Sequence, residues 1–236
     1  MMKIEVWSDY VCPFCYIGKR ELEQAIRETG LAGKVEVEFK AYELDPTTSI
    51  EDNAPVKESL MQKKGMSEAQ IEGMFESVTD RAKSVGLNYN FSKMKNANTK
   101  KAHRLAKFAE SQGKGLEIDE ALLSAHFTDN LALNDNEVLL SVAESVGLSR
   151  DDAQAVLSSD QYADEVVQDI QEARAIGLQG VPFFVLERKY AISGAQPQTL
   201  FQDTLKKVAD EMGIKPDLQV VGGSTDSLCE DGSCAF

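Results

Sequence analysis

Lys3-Ile4-Glu5-Val6-Trp7-Ser8-Asp9-Tyr10-Val11-Cys12-Pro13-Phe14-Cys15 decides the fold of this chain. Its first six residues alternate at period two and read as a strand. The stretch after Pro13 carries Leu22, Ala25 and Ile26 on one helical face. The two cysteines therefore stand where a strand turns into a helix. A thiolate at a helix start meets unpaired N–H groups and the positive end of the helix dipole, which favour its charged form. Pro13 suits the first helical turn, where its missing N–H costs no bond. On this reading Cys12 is exposed at the cap and acts as nucleophile. Cys15, inside the first turn and on the same side, is the shielded resolving thiol, within disulfide reach of Cys12.

Strand signal continues outward from that seam. Gly30 closes the first helix, and Val35-Glu36-Val37-Glu38-Phe39-Lys40-Ala41-Tyr42 alternates as a second strand, completing a βαβ unit. Open α/β sheets place their sites at the carboxyl ends of strands, where the Cys12/Cys15 pair falls. From about Asp45 to Gly177 the pattern is helical. Ser67-Glu68-Ala69-Gln70 is a capping box ahead of a stripe of Ile71, Met74, Phe75, Val78, Ala82 and Val85. Further helices are expected around Leu105, around Leu122, after a cap between Asn134 and Glu137, and along Tyr162, Val166, Ile170 and Ala173. Strands return at Pro182–Leu186 and Tyr190–Ser193, joined by Glu187-Arg188-Lys189 at hairpin length. A last helix runs to Gly213, with Pro197 in its first turn. The expected fold is α/β: a discontinuous sheet domain (1–44 and 178–213), a helical insertion (45–177) and a flexible C-terminal tail (214–236).

Composition narrows the function. The 236 residues are 42% hydrophobic and 27% charged, enough for a proper core. A net charge of −14 disfavours nucleic-acid backbones and anionic membrane surfaces. No apolar run approaches the roughly 20 residues that span a bilayer. Met1-Met2-Lys3 leads straight into a strand without a signal-peptide core, so a cytoplasmic enzyme is expected. In a reducing compartment cysteine pairs are more often catalytic, redox-sensing or metal-binding than structural.

Three motifs in order carry a resemblance that covers most of the chain: Ser8 to Gly18 around Cys12-Pro13-Phe14-Cys15, then Gly180-Val181-Pro182-Phe183-Phe184, then Ile192-Ser193-Gly194-Ala195-Gln196-Pro197. Together they resemble the thioredoxin fold in its DsbA-family form, and within it the FrnE-like branch. The resemblance implies a thiol-disulfide oxidoreductase with no cofactor, acting on disulfide- or thiol-containing proteins and recycled by glutathione or a thioredoxin-type reductant. It implies a cis Val181-Pro182 bond facing the dithiol, with the Val181 backbone free to pair with an extended substrate; Pro13, Phe14, Val181 and Pro182 are thus support residues. Strongly oxidising members carry histidine where this chain has Phe14. With Asp9 opposing ionisation as well, the Cys12 pKa is expected nearer about 7 than about 3.5, which makes a weaker oxidant.

Beyond the last helix, a Gly-Gly-Ser tether leads to Cys229-Glu230-Asp231-Gly232-Ser233-Cys234, where Asp231-Gly232 is a hairpin signal. A two-residue turn would set Cys229 opposite Cys234, and the pair is a candidate second redox centre exchanging with Cys12. Four thiolates would also suffice for zinc; most of the chain separates the pairs, and no metal site is expected. The glutathione-linked isomerases of the same fold usually have serine in place of the first cysteine, and Cys12 argues against that branch. His103 and His126 read as surface or packing residues. Glu38 and Lys40 either tune a buried thiol or face water. An apolar groove near Phe14 and Phe184 is expected to receive unfolded peptide.

Overall fold

The computed structural model describes residues 1–217. Its elements are β1 (Met2–Ser8), α1 (Pro13–Glu28), β2 (Val35–Ala41), α2 (Val56–Lys64), α3 (Glu68–Ser84), α4 (Lys100–Ser111), α5 (Gly115–Phe127), α6 (Asn136–Ser145), α7 (Arg150–Leu157), α8 (Ala163–Ala175), β3 (Phe183–Leu186), β4 (Tyr190–Ser193) and α9 (Gln198–Met212). The strands lie in the order β2-β1-β3-β4. β1 pairs parallel with β2, Met2 opposite Val35, and antiparallel with β3, Val6 opposite Phe184. β3 and β4 form the expected hairpin. This is βαβ followed by ββα, with the helices α2–α8 between them.

Alternation on β1 and β3 sorts the sheet into two faces. Met2, Ile4, Val6 and Phe184 meet Leu22 and Ala25 of α1 and Phe201, Leu205 and Val208 of α9 in one core. Trp7 and Val185 turn the other way, onto Ala173 and Leu178. The helical region has its own core, to which Tyr16 and Ile17 of α1 contribute. α1 is thus a shared wall: Leu22 and Ala25 look toward the sheet, Tyr16 and Ile17 toward the helices. The site at its N-terminus therefore lies on the seam between the two cores.

Several expectations change at this level. Phe184 is fully buried against Phe201, with ring centroids 4.9 Å apart, and lines no groove. On a strand covered by two helices, an apolar residue on that face is core. Pro197 caps α9 from outside with an extended ψ of 144° instead of sitting in its first turn. Asp135 is the cap of α6, accepting from the Glu137 N–H. Lys40 faces neither water nor thiol: its ammonium sits among the carboxylates of Glu5, Glu38, Asp169 and Glu172. The Ser67–Gln70 capping box forms as read.

Candidate active site

Cys12 is the N-cap of α1 and Pro13 its first residue. No side chain caps this helix and its first turn carries no acid. The orphan N–H groups that Ser or Asp would ordinarily claim are thus left for the Cys12 sulfur. The first turn closes tightly, the Cys15 N–H donating to the Cys12 carbonyl at 3.0 Å and the Cys12 N–H to the Asp9 carbonyl at 3.1 Å. Both thiols are unbridged.

The Cys12 side chain is only 5% exposed, against the expectation of an open cap. Its Sγ–H donates to the Val181 carbonyl at 3.5 Å, and the Val181-Pro182 bond is cis. That segment, carried to the site by β3, lies across the sulfur and covers it. Cys15 is 1% exposed. Phe14, by contrast, projects into solvent.

Electrostatics separate the two thiols. A hydrogen bond from the Cys15 thiol pulls the Cys12 pKa below the ordinary thiol value, helped by the N–H groups of Cys15 and Phe14; burial and the Asp9 carboxylate push back. Burial, together with the neighbouring Cys12 sulfur, drives Cys15 far the other way. The two thiols are thus driven in opposite directions, Cys12 toward and Cys15 away from the charged form that thiol-disulfide exchange uses.

The helical region clamps this turn. Tyr89, in the connection between α3 and α4, donates its hydroxyl to the Pro13 carbonyl at 2.6 Å. Burial raises the Tyr89 pKa, so the group stays a neutral donor. Nothing local marks Tyr89 as a site residue, because the contact spans 76 positions. Asp9, 1% exposed, accepts from the Leu44 N–H at 2.8 Å through Oδ2, and its Oδ1 lies 3.4 Å from His103 Nε2. His103 and His126 are both buried in the helical region.

In front of Cys12 opens a groove of about 380 Å³, floored by Val11, Pro13 and Phe14 and walled by α2, α3 and the stretch 94–97. Its walls are mostly apolar: Val56, Met74, Phe75, Phe91, Met94 and Phe127. Lys63, Lys64 and Lys95 also line it. Lys63 is paired with Asp45 at 2.9 Å, whereas Lys64 and Lys95 have no ion-pair partner among the described residues. The expected groove therefore exists beside Phe14, but the helices build it.

Among the described residues no group of three or more His, Cys, Asp or Glu side chains is placed to hold a metal, and no helix is long and apolar enough to cross a membrane. Cys229 and Cys234 lie outside the described residues, and with them both the second redox pair and the four-thiolate zinc reading.

Comparison with known proteins identifies the family. Residues 3–206 match the family model of the DSBA-like thioredoxin domain. A crystal structure of a probable DsbA oxidoreductase from Streptomyces coelicolor is 34% identical, with a TM-score of 0.85 over 100% of this chain and 99% of that one. YwbO of Bacillus subtilis, an uncharacterized protein, is 31% identical over 90% of this chain and 98% of its own. The cytosolic disulfide reductase DsbM of Pseudomonas aeruginosa shares the fold at 15% identity, with a TM-score of 0.63 over 89% of this chain and 99% of that one. It has also been solved with glutathione. The chain belongs to the DSBA-like thioredoxin domain family and is a thiol-disulfide oxidoreductase or isomerase.

Proposed function

We propose that Cys12 attacks disulfides in cysteine-bearing protein segments seated in the groove, and that Cys15 then resolves the mixed disulfide. The observation that carries this reading is the Cys12 sulfur, its thiolate favoured, at the end of a mostly apolar trough. Apolar walls select the side chains that unfolded segments expose, and the unpaired ammoniums of Lys64 and Lys95 favour acidic residues near the target cysteine. Pro13 and Phe14 shape the floor, while Val181 and Pro182 cover the sulfur and offer backbone to an extended substrate. Glutathione or a thioredoxin-type reductant recycles the pair. DsbM, seen with glutathione, supports that choice only as a relative of the same fold.

The tail pair extends the scheme. Asp217 is anchored on Gly30, past the far end of α1, its N–H donating to the Gly30 carbonyl at 2.8 Å. Cys12 is then about 24 Å away, the length of a 16-residue helix. The chain from Asp217 to Cys229 has a contour of about 40 Å, so Cys229 can reach Cys12. We infer that Cys229 and Cys234 exchange disulfides with the Cys12/Cys15 pair.

Insulin reduction with a measured redox potential tests the main reading. Cys15→Ser should accumulate a covalent complex with substrate, and Cys12→Ser should be inert. An inactive native protein that never equilibrates with glutathione would overturn it. Under oxidant without substrate, Cys15→Ser should also trap a Cys12-to-tail bridge, detectable by peptide mapping; its absence would leave the tail without a redox role.

A further inference from the structure

The Cys12 sulfur stands where a capping oxygen would, and the first-turn N–H groups it meets are those of Cys15 and Phe14. The Cys15 N–H is shared, since it also donates to the Cys12 carbonyl at 3.0 Å. The aim and strength of the Phe14 N–H depend on the peptide group to which it belongs, the planar unit that joins Pro13 to Phe14.

That unit is held from behind. Proline fixes its own φ, so once the Pro13 carbonyl is pinned the direction of the Phe14 N–H, opposite to the carbonyl, is set as well. The pin is the Tyr89 hydroxyl, which donates to the Pro13 carbonyl at 2.6 Å. A hydrogen bond accepted by a carbonyl also polarises the amide and makes its N–H a stronger donor. Tyr89 therefore acts on both ends of one peptide: it grips the oxygen and strengthens the N–H that serves the sulfur.

The packing of the Tyr89 ring fixes the hydroxyl in place. The ring is buried, stacked on Phe127 of α5 with centroids 4.8 Å apart and on Tyr16 of α1 at 6.2 Å, and edge-on to Phe91 at 5.9 Å. Burial, then the neighbouring Cys12 and Cys15 charges, raises its pKa, so the hydroxyl keeps its proton and remains a donor. Phe91 and Phe127 wall the substrate groove, and Tyr89 stands behind that wall.

We propose that Tyr89 is a positioning residue for the reaction: by holding the Pro13 carbonyl, its hydroxyl keeps the Phe14 N–H on the Cys12 sulfur and so stabilises Cys12 as a thiolate. This role rests on the reading of Cys12 as the attacking thiol. A stabilised thiolate belongs to the dithiol side of the exchange, so the same bond makes the enzyme a stronger oxidant. The titratable groups that face Cys12 are Cys15 of α1, Asp9 after β1 and Tyr89 itself. Across the groove stand Asp45, Lys63, Lys64, Lys95 and His126. Removing the Tyr89 hydroxyl replaces none of the others.

Iodoacetamide capture of Cys12 in the full chain, followed at its own peptide by mass spectrometry so that the tail thiols do not contribute, gives its ionisation profile. Tyr89→Phe keeps the ring and its packing but loses the bond. It should move the profile up by about half a pH unit, slow capture on the acid limb about threefold and leave the alkaline plateau unchanged. The equilibrium with glutathione should shift toward the enzyme disulfide, at most by the same factor. A meta-fluorotyrosine in place of Tyr89, whose hydroxyl is a stronger donor, should move both readouts the other way. A merely structural contact would change capture equally at every pH, or in the same direction in both proteins, and either result overturns the proposal. So does an unmoved profile in Tyr89→Phe; should that variant fail to fold, an unmoved profile with the fluorinated residue overturns it equally. Disulfide reduction that survives Cys12→Ser would instead sink the reading of Cys12 as the nucleophile.

Discussion

The Cys12 pKa is drawn down first by the hydrogen bond from the Cys15 thiol and then by what its neighbours leave undone: no side chain caps α1, no acid occupies its first turn, and the N–H groups of Phe14 and Cys15 fall to sulfur. That much can be read from Cys12-Pro13-Phe14-Cys15 alone. Its burial cannot, because the covering residues, Val181 and Pro182, arrive from 169 positions away. How closely they must approach is set by Gly18. A Cβ there would meet the Phe184 ring at 2.9 Å and Pro182 Cγ at 3.1 Å. Phe184 is locked in the core and cannot swing aside. Gly18→Ala should therefore cost about 1–3 kcal/mol and push the Val181-Pro182 segment off the sulfur, speeding Cys12 alkylation. Urea midpoints and iodoacetamide rates would show both, and unchanged values would mean that this close approach is not what covers Cys12.

At the scale of the element, α5 carries two buried groups that pull against each other. Burial holds His126 down to about 4 and lifts Asp119 to about 6. From pH 4 to 6.5 unfolded His126 binds a proton that the folded form refuses, so this residue makes stability rise with pH, by about 3 kcal/mol in all. Folded Asp119 keeps a proton that the unfolded chain loses, so between pH 4 and 6 it makes stability fall by a similar amount, about 3 kcal/mol. In the native protein the two slopes nearly cancel. His126→Leu should unmask a decline from pH 4 to 6, and Asp119→Asn, which keeps an acceptor for Tyr10, a rise; urea midpoints at one-unit intervals would resolve them. Neither residue announced this in the sequence, where a helical histidine is merely packing. α3 was legible, since Ser67, Gln70 and its apolar stripe all speak locally. α2 was not: only Ser59 of its nine residues is buried, so it has no stripe to read, although its inner residues wall the groove.

In the molecule as a whole, α8 ties the helical region to the sheet through the carboxylates of Asp169 and Glu172, of which Asp169 is the buried one. Asp169 Oδ2 accepts from the Ala41 N–H at 2.9 Å and pairs with Lys107 at 2.8 Å, while Oδ1 lies 3.5 Å from Lys40. Its backbone carbonyl takes the Trp7 indole N–H at 2.9 Å. One residue thus joins β1, β2 and α4. Removing it leaves two ammoniums short of a partner and a strand N–H unpaired, and breaking a buried pair in this way costs about 3–5 kcal/mol. Asp169→Ala should lose that much; Asp169→Asn, which still accepts from Ala41, should lose less. Asp45→Ala, which breaks the exposed pair with Lys63, should cost about 0–1 kcal/mol. The single tryptophan, Trp7, reports on the sheet beneath α8, and far-UV circular dichroism reports mainly on the helices. In the native protein both probes should give one urea midpoint. In Asp169→Ala the two should separate, because what made the sheet and the helices unfold together has been cut. Coincident midpoints at native urea concentration would mean that apolar packing across α1, rather than this charge network, holds the two cores in register.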